Sequence, residues 1–196
     1  YNVTKDRDPI ICTEVGQHQM WTGLLFKFDK PRRLVTSGGL GTMGFGFPAA
    51  VGAQVACKDK LVINIAGDGS IQMNIQELMT CVHYNIQVKV FIINNGYLGM
   101  VRQWQERLFD KHYSETCISS PDFVKLAEAY GATGIRIEKE EELESQIIRA
   151  IDTPGPVFVD FVVDPMEAVF PWVLAGEPIC NVLMGKDAED LNGEYS

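Results

Sequence analysis

The stretch Leu61 to Asn95, LVINIAGDGSIQMNIQELMTCVHYNIQVKVFIINN, decides the fold. Leu61 to Ala66 and Val88 to Ile93 are short apolar runs, rich in β-branched residues and bounded by turn residues, so each reads as a strand buried on both faces. Between them, Ile71 to Tyr84 carries apolar residues at helical spacing, which predicts one helix. Such a strand, helix, strand unit crosses over right-handed and sets its strands parallel, with both carboxyl ends on one edge of the sheet. Asp68 and Asn95, which follow the two strands, therefore face one crevice, where open α/β sheets bind ligands. Gly67 and Gly69 let the backbone turn sharply beside Asp68, and Ser70 stands where a helix begins, with free amides and a positive dipole end. A carboxylate and an amide oxygen are hard donors suited to Mg²⁺, which takes few protein ligands and completes its octahedron with water and phosphate oxygens. The residues thus read as a Mg-diphosphate site. The plainer alternative is an ordinary Asp-Gly turn beside an unrelated Asn pair, which a lone GDG would favour and the full spacing disfavours.

GDGS followed at this distance by NN resembles the thiamine diphosphate (ThDP) fingerprint. By that resemblance Asp68 and Asn95 are metal ligands, the backbone carbonyl of Tyr97 is the third, and the cofactor lies against Gly67 to Ser70 and against Asn95, Tyr97, Gly99 and Met100.

Upstream, Ile10 to Val15 reads as a strand entering Gly16-Gln17-His18-Gln19-Met20-Trp21, with Leu24, Leu25 and Phe28 continuing a helical stripe. This second strand-Gly-helix corner can also offer amides to an anion. Read from its residues alone, His18 is a helix N-terminal residue bonded to backbone; VGQHQMW, however, resembles a segment of acetohydroxyacid synthase (acetolactate synthase) catalytic subunits. The likeness implies that Val15, Gly16, Gln17 and His18 touch the cofactor's diphosphate. Leu34 to Ser37 then leads into GGLGTMGFGFPAA, residues 38 to 50, where the glycines imply a backbone pressed against something flat or phosphorylated, or an irregular loop. The segment looks like the same synthase family, in which Gly41 and Met43 contact the aminopyrimidine and Met43 wedges the cofactor into a V.

Downstream, NNGYLGMVRQWQ opens a helix whose Met100 and Trp104, four apart, form an apolar stripe expected to pack on the core. It resembles the synthase segment in which this Met and Trp line the substrate entrance. Pro121 to Tyr130 reads as a helix closed by Gly131, Thr133 to Ile137 as a strand, Glu138 to Glu144 as the solvated start of a helix running to Ile151, and Pro156 to Val163 as a last strand. His83 and His112 carry no assigned chemistry.

Strand, helix and glycine corner alternate throughout, which predicts an α/β fold: a doubly wound sheet of about six mostly parallel strands with helices on both faces. Residues 1–9 read as a lead-in or linker remnant, 10–165 as the ThDP-binding domain, and 166–196 as a mobile tail that, by resemblance, folds over the active site as a lid.

At 196 residues the chain can bury one sizeable core. A net charge of −9 and an isoelectric point near 4.8 argue against nucleic acid or an anionic membrane as partner. The five cysteines lie far apart with no CxxC, which fits reduced, mostly buried thiols in a reducing compartment, cytoplasmic or organellar. No apolar run approaches a membrane span, and the first residues are unlike a signal peptide and lack an initiating Met, so a fragment boundary is expected.

The resemblance implies an enzyme that decarboxylates pyruvate and adds the two-carbon unit to pyruvate or 2-ketobutyrate, with Mg²⁺ and ThDP held by this chain. It also implies FAD on another domain, a separate pyrimidine-binding domain carrying the activating Glu, assembly at least as a dimer, and a regulatory small subunit. Alone, the chain is expected to be inactive. The rivals are the separate β subunit of a two-chain ThDP-dependent 2-keto-acid decarboxylase and a non-catalytic module of the same fold. A P-loop or dinucleotide site is excluded for want of GxxxxGK[ST] or a GxGxxG after the first strand.

Overall fold

The computed structural model describes residues 1–185. Its centre is a six-stranded, all-parallel sheet in the order β2-β1-β3-β4-β6-β5, formed by β1 (Ile10–Thr13), β2 (Leu34–Thr36), β3 (Val62–Gly67), β4 (Lys89–Asn94), β5 (Thr133–Ile137) and β6 (Val157–Val162). The helices are α1 (Gln17–Leu25), α2 (Gly46–Ala56), α3 (Asp68–Ile71), α4 (Glu77–His83), α5 (Gly99–Leu108), α6 (Phe123–Tyr130) and α7 (Leu143–Asp152). The central strands are apolar on both sides, and two cores result. One gathers Phe47, Ala50, Leu78, Val90, Ile92, Phe123 and Phe158 under α2, α4 and α6; the other gathers Ile135, Val159, Phe161 and Ala150 under α7. This is the expected doubly wound α/β architecture.

The chain runs from β1 to β2 on one side, then returns past β1 to place β3 on the other, so the strand order reverses between β1 and β3. Connections leaving neighbouring strands in opposite directions open a crevice at their carboxyl ends. In the register of β3 with β4, Gly67 pairs with Ile93. Asp68 and Asn95 consequently emerge within one residue step of each other at the rim.

Several local expectations need correction. The single helix over Ile71 to Tyr84 is two, α3 and α4, separated by turns. Asn74 causes the break: its Nδ2 donates to the Gly44 carbonyl at 2.7 Å, fastening this segment to the loop before α2 rather than leaving it in a continuous helix. The stripe Leu24, Leu25 of α1 does not face the core, because Gln17, His18 and Thr22 are buried while both leucines are exposed. Nor do Met100 and Trp104 form the packed face of α5. Its buried residues are Gly99, Arg102 and Gln103, a polar face that holds the segment after β6. Of the five cysteines, all free, only Cys12 and Cys81 are buried, and Cys117 and Cys180 are exposed.

The first residues and the start of the segment after β6 are tied in. The lead-in forms a 3-10 turn, Lys5–Arg7, and Asp8 then accepts from Arg33 through both carboxylate oxygens at 2.7 Å and from Lys60 at 2.9 Å, clamping the amino ends of β1, β2 and β3 together. After β6 the described residues form no helix or strand, yet Val169 is fully buried and Leu174 nearly so, and Trp172 and Leu183 form an antiparallel bridge. The segment read as a tail packs on the domain at Val169 and Leu174; its end from residue 186 lies outside the described residues.

The cations Arg33, Lys60 and Lys30 around Asp8 hold its carboxyl well below its ordinary value of 3.8. Its stabilising effect is therefore fully present above 3.8 and is lost as pH falls below that value. Chemical denaturation of Asp8→Asn should show lower stability than the unmodified protein at pH 7, with the difference shrinking below pH 3.8 and in high salt. At the opposite extreme, Lys89 is buried in β4 with its Nζ donating to the Thr153 and Gly155 carbonyls, and burial pushes the ammonium down from 10.5 to about 8. The unfolded chain binds that proton more readily between these values, so stability should rise with pH across the window. Measured against Lys89→Met, the rise should amount to no more than about 3 kcal/mol.

Candidate functional site

At the carboxyl edge of β1, β3 and β4 lies a half-open cavity. Three connections build its walls. From β1 come Val15, Gly16, Gln17 and His18; from β3 come Gly67, Asp68, Gly69 and Ser70; from β4 come Asn95, Tyr97, Gly99 and Met100. Met43 reaches in from the loop between β2 and α2, and Trp21, Ile93, Leu98 and Val101 complete the apolar part of the lining. Gly41 and Trp104 are the two residues singled out in the sequence that do not line it. Gly41 packs behind Val15, and Trp104 stands on the exposed side of α5.

Asp68 is desolvated, with 1% of its surface exposed. Its Oδ2 accepts from the Gly96 backbone N–H at 3.0 Å and from Ser120 Oγ at 3.1 Å. Burial nevertheless pushes the carboxyl up from its ordinary value, the hydrogen bonds pulling it back only in part. A cation beside the carboxylate would offset that cost, since an opposite charge favours the ionised form. Asn95 turns its Oδ1 to the Tyr97 backbone N–H at 3.0 Å and its Nδ2 to Gln17 Oε1 at 3.1 Å, leaving a second lone pair on Oδ1. Among the described residues no group of three or more His, Cys, Asp or Glu could hold a metal. A cation here would rest on one carboxylate, one amide oxygen and main-chain carbonyl, a hard and incomplete donor set. That set fits Mg²⁺ sharing its coordination with phosphate oxygens and excludes a soft-metal centre.

Beneath the cavity sits a polar layer. Glu14, one residue past β1 and 1% exposed, accepts from Ser70 Oγ at 2.8 Å through Oε1, and that oxygen lies 3.7 Å from His18 Nε2. Glu14 Oε2 and His18 Nε2 are buried without a partner among the described residues. Gly46 makes room for this layer, because a β-carbon there would collide with the Glu14 carboxylate. The Ser70 hydroxyl is committed to Glu14 and to the Gly67 backbone, so what Ser70 can offer a ligand is its amide.

Reading the sequence missed Glu14, Ser120, Arg102 and Gln103. Position could have flagged two of them: Glu14 ends β1 on the ligand edge, and Gln103 lies four residues after Gly99 and so shares its helical face. Ser120 comes from a loop distant in sequence, and nothing local signals it.

Residues 14–161 match the family described as thiamine pyrophosphate enzyme, C-terminal TPP binding domain. The chain is similar to the acetolactate synthase large subunit of Haemophilus influenzae, 45% identical over 194 residues covering 98% of this chain and 34% of that protein. It is similar also to the acetolactate synthase isozyme 3 large subunit of Escherichia coli, 50% identical over 173 residues, 86% of this chain and 30% of that protein. With the mitochondrial acetolactate synthase catalytic subunit of Saccharomyces cerevisiae it shares 46% identity over 170 residues, 87% of this chain and 25% of that protein. The chain thus spans about a third or less of the length of these relatives. Since the family match covers well over half of the sequence and, beginning just after β1, includes β3, β4 and the three connections that wall the cavity, the chain belongs to the thiamine pyrophosphate enzyme family, as its C-terminal TPP-binding domain.

Proposed function

We propose that the cavity holds Mg-thiamine diphosphate and that the protein serves acetolactate synthesis, in which pyruvate is decarboxylated and its two-carbon unit joined to pyruvate or 2-ketobutyrate. One observation carries this reading: a single cavity collects Asp68, Asn95 and Tyr97 together with Met43, His18 and the Gly67 to Ser70 corner. The similarity at 45–50% identity to acetolactate synthase large subunits supports it and favours neither a separate decarboxylase β subunit nor a non-catalytic module.

In this reading Asp68, Asn95 Oδ1 and the Tyr97 carbonyl hold Mg²⁺. Main-chain amides around Gly16 to His18 and Gly67 to Ser70 receive the diphosphate, His18 lying behind it over Glu14. Gly41 and Met43 meet the aminopyrimidine, with the Met43 thioether supporting the bend. Met100 lines the inner part of the substrate approach, and Trp104, outside the cavity, the outer part. The bound cofactor supplies an electron sink for the carbanion left by decarboxylation; the chain's own part is to bind, to orient and to exclude water.

No glutamate lines the cavity among the described residues. The activating Glu is therefore assigned to a pyrimidine-binding domain outside this chain, and FAD to a third domain of the same subunit. The outward Leu24 and Leu25 of α1 and the half-exposed Phe45 support burial against such neighbours in an oligomer of at least two subunits, with a regulatory small subunit as a further partner. The free thiols favour a reducing cytoplasmic or organellar compartment.

Calorimetric titration of the full-length protein with ThDP should show binding that requires Mg²⁺. Asp68→Ala should weaken that binding at least about 100-fold, since losing even an outer-sphere partner of a metal costs 10–100-fold. Equal binding by the variant would overturn the assignment.

A further inference from the structure

Gln17 belongs to the stretch expected to touch the diphosphate, yet its side chain is fully engaged by the protein. Its Nε2 donates to Gln103 Oε1 at 3.0 Å and to the Glu167 carbonyl at 3.0 Å, and its Oε1 accepts from Asn95 Nδ2. Gln103 in turn grips residue 169 at both ends: Oε1 accepts from the Val169 N–H at 2.9 Å and Nε2 donates to the Val169 carbonyl at 3.2 Å. Next to it, the fully buried Arg102 donates to the Met166 and Glu167 carbonyls, fixing the same piece of main chain.

Each of the three amides has its polarity set by backbone groups that cannot be interchanged. The Val169 N–H demands the oxygen of Gln103, the Glu167 carbonyl demands the nitrogen of Gln17, and the Tyr97 N–H demands the oxygen of Asn95. The chain of amides therefore has one direction, and it ends with the Asn95 oxygen turned away from Gln17. Gly99 clears the space for it, because a β-carbon there would collide with the Gln17 carboxamide and come within 2.7 Å of Asn95 Nδ2. Both glutamines are almost completely buried, so water does not compete for these bonds.

Resting on the Mg-diphosphate reading of the same cavity, we propose that Gln17 and Gln103 are positioning residues that hold the Asn95 carboxamide oxygen toward the cation, with Glu167 to Val169 as their fixed reference. Gln103 does not line the cavity, so it acts on the metal only through Gln17 and Asn95. By the same linkage, cation binding and docking of the segment after β6 favour each other.

The test uses the full-length protein with saturating ThDP and reads Mn²⁺ binding by the loss of its free-ion paramagnetic resonance signal. Gln103→Met should weaken Mn²⁺ about 10-fold or more, the scale on which outer-sphere partners act. Gln103→Glu keeps an oxygen facing both Gln17 Nε2 and the Val169 N–H but sets its other oxygen against the Val169 carbonyl, so it should weaken Mn²⁺ by more than about twofold yet less than Gln103→Met does. A role confined to packing predicts instead that both variants lose thermal stability without a selective change in Mn²⁺ affinity. Mn²⁺ affinity in Gln103→Met within twofold of the unmodified protein overturns the proposal while Asp68→Ala still loses the metal. If Gln103→Met does not fold, Gln103→Glu decides alone: a partial loss of Mn²⁺ affinity supports the proposal, and affinity equal to that of the unmodified protein, or a loss as large as that of Asp68→Ala, overturns it. Failure of the unmodified protein itself to retain Mn²⁺, with Asp68→Ala indistinguishable from it, would strike the underlying cofactor reading instead.

Discussion

The bond from the Gly96 N–H to Asp68 Oδ2 joins the ends of β3 and β4 at the point where both strands stop. A carboxylate with 1% of its surface exposed is costly to keep ionised, so it persists only where donors are preorganised around it. Here those donors come from the loop after β4 and from Ser120, just ahead of α6. The register of β3 with β4 is thereby tied to the placement of the loop that carries Asn95 and Tyr97. A slip of one residue would break the bond and move Asp68 out of step with the Gly96 N–H.

Polar groups crowd the rest of this edge as well. Glu14 Oε2 and His18 Nε2 are buried without a hydrogen-bond partner among the described residues, and an unsatisfied buried group costs about 1–3 kcal/mol. Two such groups side by side under one cavity mark a region shaped for something other than stability. The counterweight sits at the opposite edge, where Asp8 binds Arg33 and Lys60 and where Lys89 reaches the Thr153 and Gly155 carbonyls. The amino ends of the strands are fastened by charge, and the carboxyl ends are left to the site.

This division explains what could be read from the residues. The strands were legible because β-branched runs between glycine corners leave little choice, and GDGS with NN located the cavity because spacing and parallel topology together dictate where Asp68 and Asn95 emerge. The helices α1 and α5 were misread for a single reason. Helical periodicity assumes that the inward face is the apolar one, whereas both helices turn glutamines inward, to bond with main chain from elsewhere, and leave Leu24, Leu25 and Trp104 outside. The break between α3 and α4 likewise depends on Asn74 finding the Gly44 carbonyl, a partner thirty positions away that no local window contains.

The directed row of amides running from Val169 to Asn95 also bears on how this sequence can drift. An aspartate at position 95 would by charge alone attract a cation more strongly, but it would set a carboxylate oxygen against Gln17 Oε1, and Gln17 cannot turn over while the Glu167 carbonyl claims its nitrogen. A larger residue at 99 meets the same obstruction from the other side. Positions 17, 95, 99 and 103 therefore form an epistatic block, in which an exchange that would be harmless or favourable in isolation is closed off until its neighbours change with it.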